Sequence, residues 1–271
     1  MLARARFLIP FIMSIIIAAI LMSGYFWYVQ RQKDAPLPKI NHTIKHLGII
    51  MDGNRRWAKK QGLAAWLGHQ KGTDPVKLTV EFCVEQNIPY LTLYALSLEN
   101  LKRSQEELDH LFEIIKKGLT NDEFEKLMSN GVKVNIIGDR SLFPQSLATT
   151  LDDIQEKTKN GTRLTLNILF CYGGQQEITA AVQTLCSKVE KGGLKVGDIT
   201  PELIQQQLWT QGPPADLIIR TGGCHRLSNF LTWQSAYSEL MFTDVYWPDI
   251  SKKDLHDSVT SFTNVKRNFG A

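Results

Sequence analysis

The 271-residue sequence lacks most of the signatures that announce a known chemistry. It has no G-x-G-x-x-G and no Walker sequence, which disfavours nucleotide folds of those types. No G-x-S-x-G nucleophile elbow is present. Its six histidines show no metal-type spacing. The four cysteines, Cys83, Cys171, Cys186 and Cys224, are widely spaced and form no C-x-x-C pair. That argues against a disulfide framework or a structural zinc site, and for a reducing compartment. No internal repeat and no low-complexity run is visible. A basic body is also missing. The net charge of +4 comes from the first 45 residues, where Arg4, Arg6, Arg31, Lys33, Lys39 and Lys45 face Asp34 alone. The remainder is essentially neutral, which argues against a nucleic-acid binder, since that needs a basic face.

What is there suits one folded α/β domain: 43% hydrophobic, 21% charged and 9% aromatic residues. From Phe7 to Val29 runs an uncharged apolar stretch, ending in the aromatic cluster Tyr25-Phe26-Trp27-Tyr28. Its length fits a membrane span, and no small-x-small cleavage site closes it. The expectation is a membrane-anchored chain: an anchor segment over 1–33, a linker over 34–45 and a catalytic domain over 46–271. The lipid bilayer is then a partner and the domain faces the cytoplasm. Arg4 and Arg6 compete with Arg31, Lys33 and Lys39, so the charges leave the orientation of the span open.

The body alternates strand and helix. Leu47–Met51, Tyr90–Leu96, Val132–Ile137, Leu164–Phe170 and Leu217–Ile219 read as strands, with a last one near Leu240–Val245. Helices are expected from Arg55, from Asp74-Pro75 to Gln86, after Pro144, after Gly173-Gly174, and over Lys253–Phe269. Ser104-Gln105-Glu106-Glu107 reads as a capping box opening one long helix to Ser129. This alternation implies a mostly parallel sheet with helices on both faces. Ligands of such sheets bind beyond the carboxyl ends of the strands.

The strand ends are rich in anion-binding chemistry. Asp52-Gly53-Asn54-Arg55-Arg56-Trp57 places an acid at a strand tip, then a glycine, a helix start and an arginine fork. An acid where an anion should bind makes sense if a divalent cation lies between them. Arg220-Thr221-Gly222-Gly223-Cys224-His225-Arg226-Leu227-Ser228 suits a second phosphate group. Ser97-Leu98-Glu99-Asn100-Leu101-Lys102-Arg103 adds polar side chains near the same crevice. Each stretch also fits an ordinary polar turn. Glu239, in an apolar context, reads equally as a metal ligand or a paired structural acid.

These blocks resemble the cis-prenyltransferase family. His46-Leu-Gly-Ile-Ile-Met-Asp-Gly-Asn-Arg-Arg-Trp-Ala58 with Gly68-His69 is similar to its opening signature. Leu93-Tyr-Ala-Leu-Ser-Leu-Glu-Asn100 with Arg103 resembles the second block. Ile219 to Phe230, continuing through Trp233-Gln234, Ala236-Tyr237, Glu239-Leu240 and Phe242-Thr-Asp-Val to Trp247-Pro-Asp249, resembles the third. The resemblance implies Mg²⁺-dependent condensation of isopentenyl diphosphate with an allylic diphosphate, farnesyl diphosphate being the expected primer. The cis-polyprenyl product would serve as a lipid carrier for cell-wall glycans.

Residue by residue, the resemblance implies that Asp52 is the essential acid and Asn100 the proton acceptor. Gly53, Asn54, Arg55, Arg56 and Trp57 hold the allylic diphosphate, with His69 nearby. Ser97, Leu98, Glu99 and Arg103 line the crevice. Arg220, Arg226, Leu227 and Ser228 hold isopentenyl diphosphate. Asp52, His225 and Glu239 match metal-linked positions, and a homodimer is implied. Phe82, Leu93, Leu111 and Ile137 are candidates for lining a product tunnel or for ordinary core. The chain departs from the family pattern at Ala65 (usually arginine), Leu96 (phenylalanine), Leu101 (tryptophan) and Cys224 (an acid). Those departures motivate a second reading, a weakly catalytic partner subunit or prenyl-diphosphate binder. Retention of Asp52 favours the enzyme.

Overall fold

The computed structural model describes residues 37–267. From Lys39 onward the chain forms one compact unit. Its centre is a six-stranded, wholly parallel sheet: β1 (His46–Ile50), β2 (Tyr90–Ser97), β3 (Val132–Ile137), β4 (Leu164–Tyr172), β5 (Leu217–Arg220) and β6 (Glu239–Phe242). The spatial order is β3-β4-β2-β1-β5-β6. The chain runs outward from β1 through β2 and β3, then returns to β1's other side. The crevice above β1, β2 and β5 is therefore the topological switch point where α/β sheets bind ligands.

Every residue of β1 is buried, as a strand flanked by parallel neighbours and covered on both faces must be. One face carries the larger core, in which Leu47, Ile49, Leu91, Leu93, Leu166 and Leu217 pack under the helices. The other face is smaller and aromatic, with Tyr94, Tyr172 and Phe230 in contact. A polar ladder crosses the strands there. His46 Nδ1 faces the Pro213 carbonyl at 2.8 Å, so that nitrogen carries the proton and Nε2 accepts from Thr92 Oγ1 at 2.7 Å. Burial lowers the pKa of His46, consistent with the neutral ring. Asn167 Nδ2 then donates to Thr92 Oγ1 at 3.2 Å, and Asn135 Nδ2 to Asn167 Oδ1 at 2.9 Å.

The helices are α1 (Asn54–Lys60), α2 (Ala65–Lys71), α3 (Asp74–Gln86), α4 (Gln105–Thr120), α5 (Asp122–Ser129), α6 (Gln145–Thr158), α7 (Gly174–Glu190), α8 (Pro201–Gln207) and α9 (Lys252–Thr263). The single helix expected from Ser104 to Ser129 is two. Asn121 turns extended and its Oδ1 accepts the Phe124 N–H at 2.8 Å, capping a new start. The last helix stops at Thr263 rather than Phe269. The last strand ends at Phe242, because the carbonyls of Thr243 and Val245 accept from Gly223 and Gly222 instead of a ladder partner. Ile44 is buried in the core and Ile40 packs against it, although both were expected in a linker.

The expectation of membrane-anchored localisation needs correction. Among the described residues no helix is long and apolar enough to cross a membrane. The stretch 7–29 that suggested a span lies outside them. The described chain thus gives no support to an anchor, to the lipid bilayer as a partner, or to a cytoplasm-facing orientation.

Candidate active site

Asp52 stands just beyond β1, and its carboxylate joins two of the strand-end loops. Oδ2 accepts from Arg220 Nη2 at 2.8 Å, and Oδ1 from Arg56 Nη2 at 3.1 Å. Burial pushes the carboxyl pKa up, but the hydrogen bond and charge of Arg220, followed by Arg56, outweigh it. The acid is held below its ordinary range and stays ionised. Its backbone is fixed as well, since the carbonyl accepts from Thr221 Oγ1 at 2.7 Å and from the Trp247 N–H at 3.1 Å.

Two glycines make this meeting possible. Gly53 has φ +109°, and a Cβ there would lie 2.7 Å from Tyr246 Cδ1. Gly222 has φ +82°, and its Cβ would lie 2.7 Å from Arg56 Nη2. Both positions combine left-handed backbone with a close approach, so both require glycine. Gly53 offers no side-chain cap to α1, so the first-turn N–H groups, in residues that line the crevice, have no side-chain cap.

Arg220, only 4% exposed, reaches from the end of β5. Its Nη1 donates to the Arg226 carbonyl and to Ser228 Oγ at 2.8 Å, and Arg226 Nε reaches the same hydroxyl at 3.2 Å. From β2, Ser97 Oγ accepts the Asn100 N–H at 3.3 Å, shaping the short turn that ends at Arg103. Glu99 accepts from Asn229 Nδ2 at 3.1 Å. A second cluster surrounds Glu107 on α4. Its Oε1 lies 3.2 Å from Arg103 Nη1, 3.6 Å from Arg55 Nε and 3.9 Å from His69 Nε2. Burial, then the charges of Arg103 and Arg55, push the His69 pKa down to about 4, so the ring is neutral.

Three cavities meet here. One, of about 680 Å³, is lined by Asp52, Gly53, Asn54, Arg55, Arg56 and Arg103, with Ala65 on its wall. A second, of about 550 Å³, holds Asp52, Ser97, Asn100, Arg220, Arg226 and Ser228. The third, of about 180 Å³, is an apolar groove among Leu111, Ile114, Ile115, Gly118, Phe124 and Ile168. Met51, Asn54 and His69 line all three.

Most of the expected site residues converge on these cavities, but several do not. Trp57 turns away to donate to Asp249 Oδ1 at 2.7 Å. Leu98 and Leu227 pack against the two cores. The ring of His225 lies 4.8 Å from that of Phe242. Glu239 begins β6, whereas Asp52 follows the far end of β1. Among the described residues no three His, Cys, Asp or Glu side chains are grouped to hold a metal, so Asp52, His225 and Glu239 are not gathered within the chain. Of the tunnel candidates only Leu111 lines the groove. Phe82 and Leu93 are core, and Ile137 packs on the opposite face.

Glu107 was missed as a site residue, because its place in S-x-x-E explained it as a cap. Ser104 does cap the Glu107 N–H at 3.4 Å, but the carboxylate faces the arginines. For a divalent cation the chain offers oxygen donors. These are the ionised Asp52 carboxylate and the side chain of Asn54, which lines the same cavity and whose Oδ1 is a buried acceptor with no partner, on the side of Gly72. That donor set suits a Mg²⁺ completed by phosphate oxygens and water.

Comparison with known proteins is consistent with this geometry. The family described as "Putative undecaprenyl diphosphate synthase" matches residues 50–270. A farnesyl-diphosphate-specific ditrans,polycis-undecaprenyl-diphosphate synthase of Haemophilus ducreyi is 44% identical over 227 residues, covering 83% of this chain and 93% of that one. The structure of lavandulyl diphosphate synthase from Lavandula x intermedia, in complex with dimethylallyl diphosphate, superposes with a TM-score of 0.77. It is 32% identical and covers 84% of this chain and 99% of that one. A probable undecaprenyl diphosphate synthase of Campylobacter jejuni gives a TM-score of 0.70 at 33% identity, covering 84% and 99%. With its parallel sheet, its strand-tip acid and its clustered arginines, the chain belongs to the undecaprenyl diphosphate synthase family of cis-prenyltransferases.

Proposed function

We propose that this protein is a prenyltransferase that condenses isopentenyl diphosphate with farnesyl diphosphate to give a cis-polyprenyl diphosphate. The observation that carries the reading is that two arginine-lined cavities sharing Asp52 adjoin one apolar groove at Met51, Asn54 and His69. Two diphosphates and one hydrocarbon tail need that arrangement.

In this mechanism Gly53, Asn54, Arg55 and Arg56 hold the allylic diphosphate, with His69 and Arg103 on the wall. Arg220, Arg226 and Ser228 hold isopentenyl diphosphate. The isopentenyl double bond attacks the allylic C1, whose bond to oxygen breaks, and the diphosphate leaves with the electron pair. Arg56 and the uncapped amides of α1 face the charge that develops on those oxygens. Asn100, in the second cavity, receives the proton leaving C2 and passes it on to an oxygen of the departing diphosphate. Asp52, with Asn54, would hold Mg²⁺ against the phosphate oxygens, where it supplies Lewis-acid stabilisation of the leaving group. Trp57, Leu98 and Leu227 act as packing. The active form is a homodimer, as the resemblance implies; sedimentation of the purified chain tests that.

The decisive experiment incubates the purified full-length chain with labelled isopentenyl diphosphate, farnesyl diphosphate and Mg²⁺, then sizes the extracted products. Long-chain product is expected, abolished by EDTA and by Asp52→Ala. A folded protein that binds both diphosphates yet yields nothing would instead be an accessory subunit.

A further inference from the structure

Arg56 does not stand in its cavity by the pull of Asp52 alone. Its guanidinium carbon lies 5.5 Å from the centroid of the Tyr246 ring, over the ring face, and Nη2 reaches Cys224 Sγ at 3.8 Å. Tyr246 also packs on the other essential piece of the loop. Its Cδ1, Cα and Cβ occupy the space that a Cβ on Gly53 would enter. The backbone on either side of it is bonded into the same floor: Trp247 N–H to the Asp52 carbonyl at 3.1 Å, and Gly222 N–H to the Val245 carbonyl at 2.8 Å. Yet Tyr246 lines neither polar cavity. It touches the cradle only from behind.

We infer that Tyr246 is a positioning residue for the allylic diphosphate: its ring face aims Arg56 and its edge fixes the turn at Gly53. This rests on the proposed role of the Asp52–Trp57 loop. A guanidinium over an aromatic face is attracted by the ring quadrupole, which the hydroxyl hardly alters. Phenylalanine therefore serves as well as tyrosine, and an aliphatic residue of similar bulk does not. Leucine keeps a Cβ and a Cδ against Gly53, so what Tyr246→Leu removes acts through Arg56, and it costs little once Arg56 is gone. The isopentenyl site, built on Arg220 and Ser228, does not feel it.

The test measures the dissociation constant of farnesyl diphosphate alone by calorimetry for wild type, Tyr246→Phe, Tyr246→Leu, Arg56→Ala and the Tyr246→Leu/Arg56→Ala double variant, with melting temperatures alongside. A cation–π contact of this kind corresponds to about a threefold to tenfold change. Tyr246→Leu is expected to weaken binding by that factor, Tyr246→Phe to match wild type, and Tyr246→Leu to add nothing in the Arg56→Ala background. In turnover, the KM for farnesyl diphosphate rises while that for isopentenyl diphosphate holds. Unchanged binding in Tyr246→Leu overturns the inference, as does an equal loss with and without Arg56. A loss in Tyr246→Phe as large as in Tyr246→Leu also overturns it, and so does a wild type that binds no farnesyl diphosphate. Binding without turnover leaves the inference readable and removes the proposed activity instead.

Discussion

Asp52 and Arg220 meet at 2.8 Å from strands that lie side by side, one carboxylate half in the crevice and one guanidinium almost wholly out of water. The pair is asymmetric. Asp52 has a second cation in Arg56, whereas Arg220 turns Nη1 to a carbonyl and a hydroxyl and keeps Nε buried without a partner among the described residues.

Arg220→Lys keeps the charge but cannot fork to Asp52 and Ser228 together. Losing a charged hydrogen bond costs about 1.5–3 kcal/mol, or roughly ten- to a hundredfold if expressed in the rate. Turnover should fall by that factor, and steady-state kinetics should place the loss in kcat and in the KM for isopentenyl diphosphate. A loss confined to the KM for farnesyl diphosphate would contradict the assignment.

The pH dependence of stability follows from His69. Its folded pKa, about 4, lies below the ordinary value of 6.5. The unfolded chain therefore binds the extra proton first. Stability is complete above about pH 6.5 and is lost as the pH falls toward 4. Two to three units correspond to about 3 kcal/mol at 1.36 kcal/mol each. Urea unfolding at pH 7 and pH 4.5 should show the drop, and His69→Asn should remove part of it. The lowered pKa of Asp52 deepens the loss at still lower pH.

Glu107 neutralises a corner crowded with Arg55 and Arg103. Glu107→Gln should leave α4 capped by Ser104 but free the two arginines to splay apart. The KM for farnesyl diphosphate should rise severalfold, and high salt should blunt the difference between variant and wild type. A variant insensitive to salt and unchanged in KM would make Glu107 a cap and nothing more.

Gly118 lines the apolar groove, and a Cβ there would find only Thr73 Cγ2, at 3.8 Å. Leucine at this position gains most of the about 0.8–1.0 kcal/mol of helix propensity that separates alanine from glycine, while filling the groove. Gly118→Leu should therefore leave the melting temperature equal or higher yet shorten the products on a chromatogram. Products of unchanged length would place the growing chain elsewhere.

Much of this site was readable in the sequence because its parts are local. A strand tip, a glycine and an arginine fork lie within a few residues at Asp52–Arg56, and again at Arg220–Ser228. What escaped depends on partners far along the chain. Trp57 looked like a ligand contact until Asp249 claimed its N–H. Glu107 satisfied a capping pattern that hid its ion pairs. Helix α2 has no cap signal, since Ala64 precedes it with no side-chain cap. By contrast, Thr200-Pro201 before α8 was a legible start that went unused. Membrane anchorage was inferred from a stretch outside the described residues, and nothing in the described chain sustains it.

The ladder from His46 to Asn135 bears on how the strands find their alignment. A slip by one residue would turn a polar side chain of the ladder into the larger apolar core and be rejected at once. A slip by two would not, because both faces of the central strands are buried and each face would still present hydrocarbon. Only groups that need specific partners distinguish those alignments. His46, Thr92, Asn167 and Asn135 donate in one direction across four strands, so a two-residue error anywhere strands a buried donor or acceptor. No hairpin turn indexes a parallel sheet, whose strands arrive from distant parts of the chain. In this fold the index is written in four polar side chains, and it keeps the ends of β1 and β2 level, from which Asp52 and Ser97 enter the same cavity.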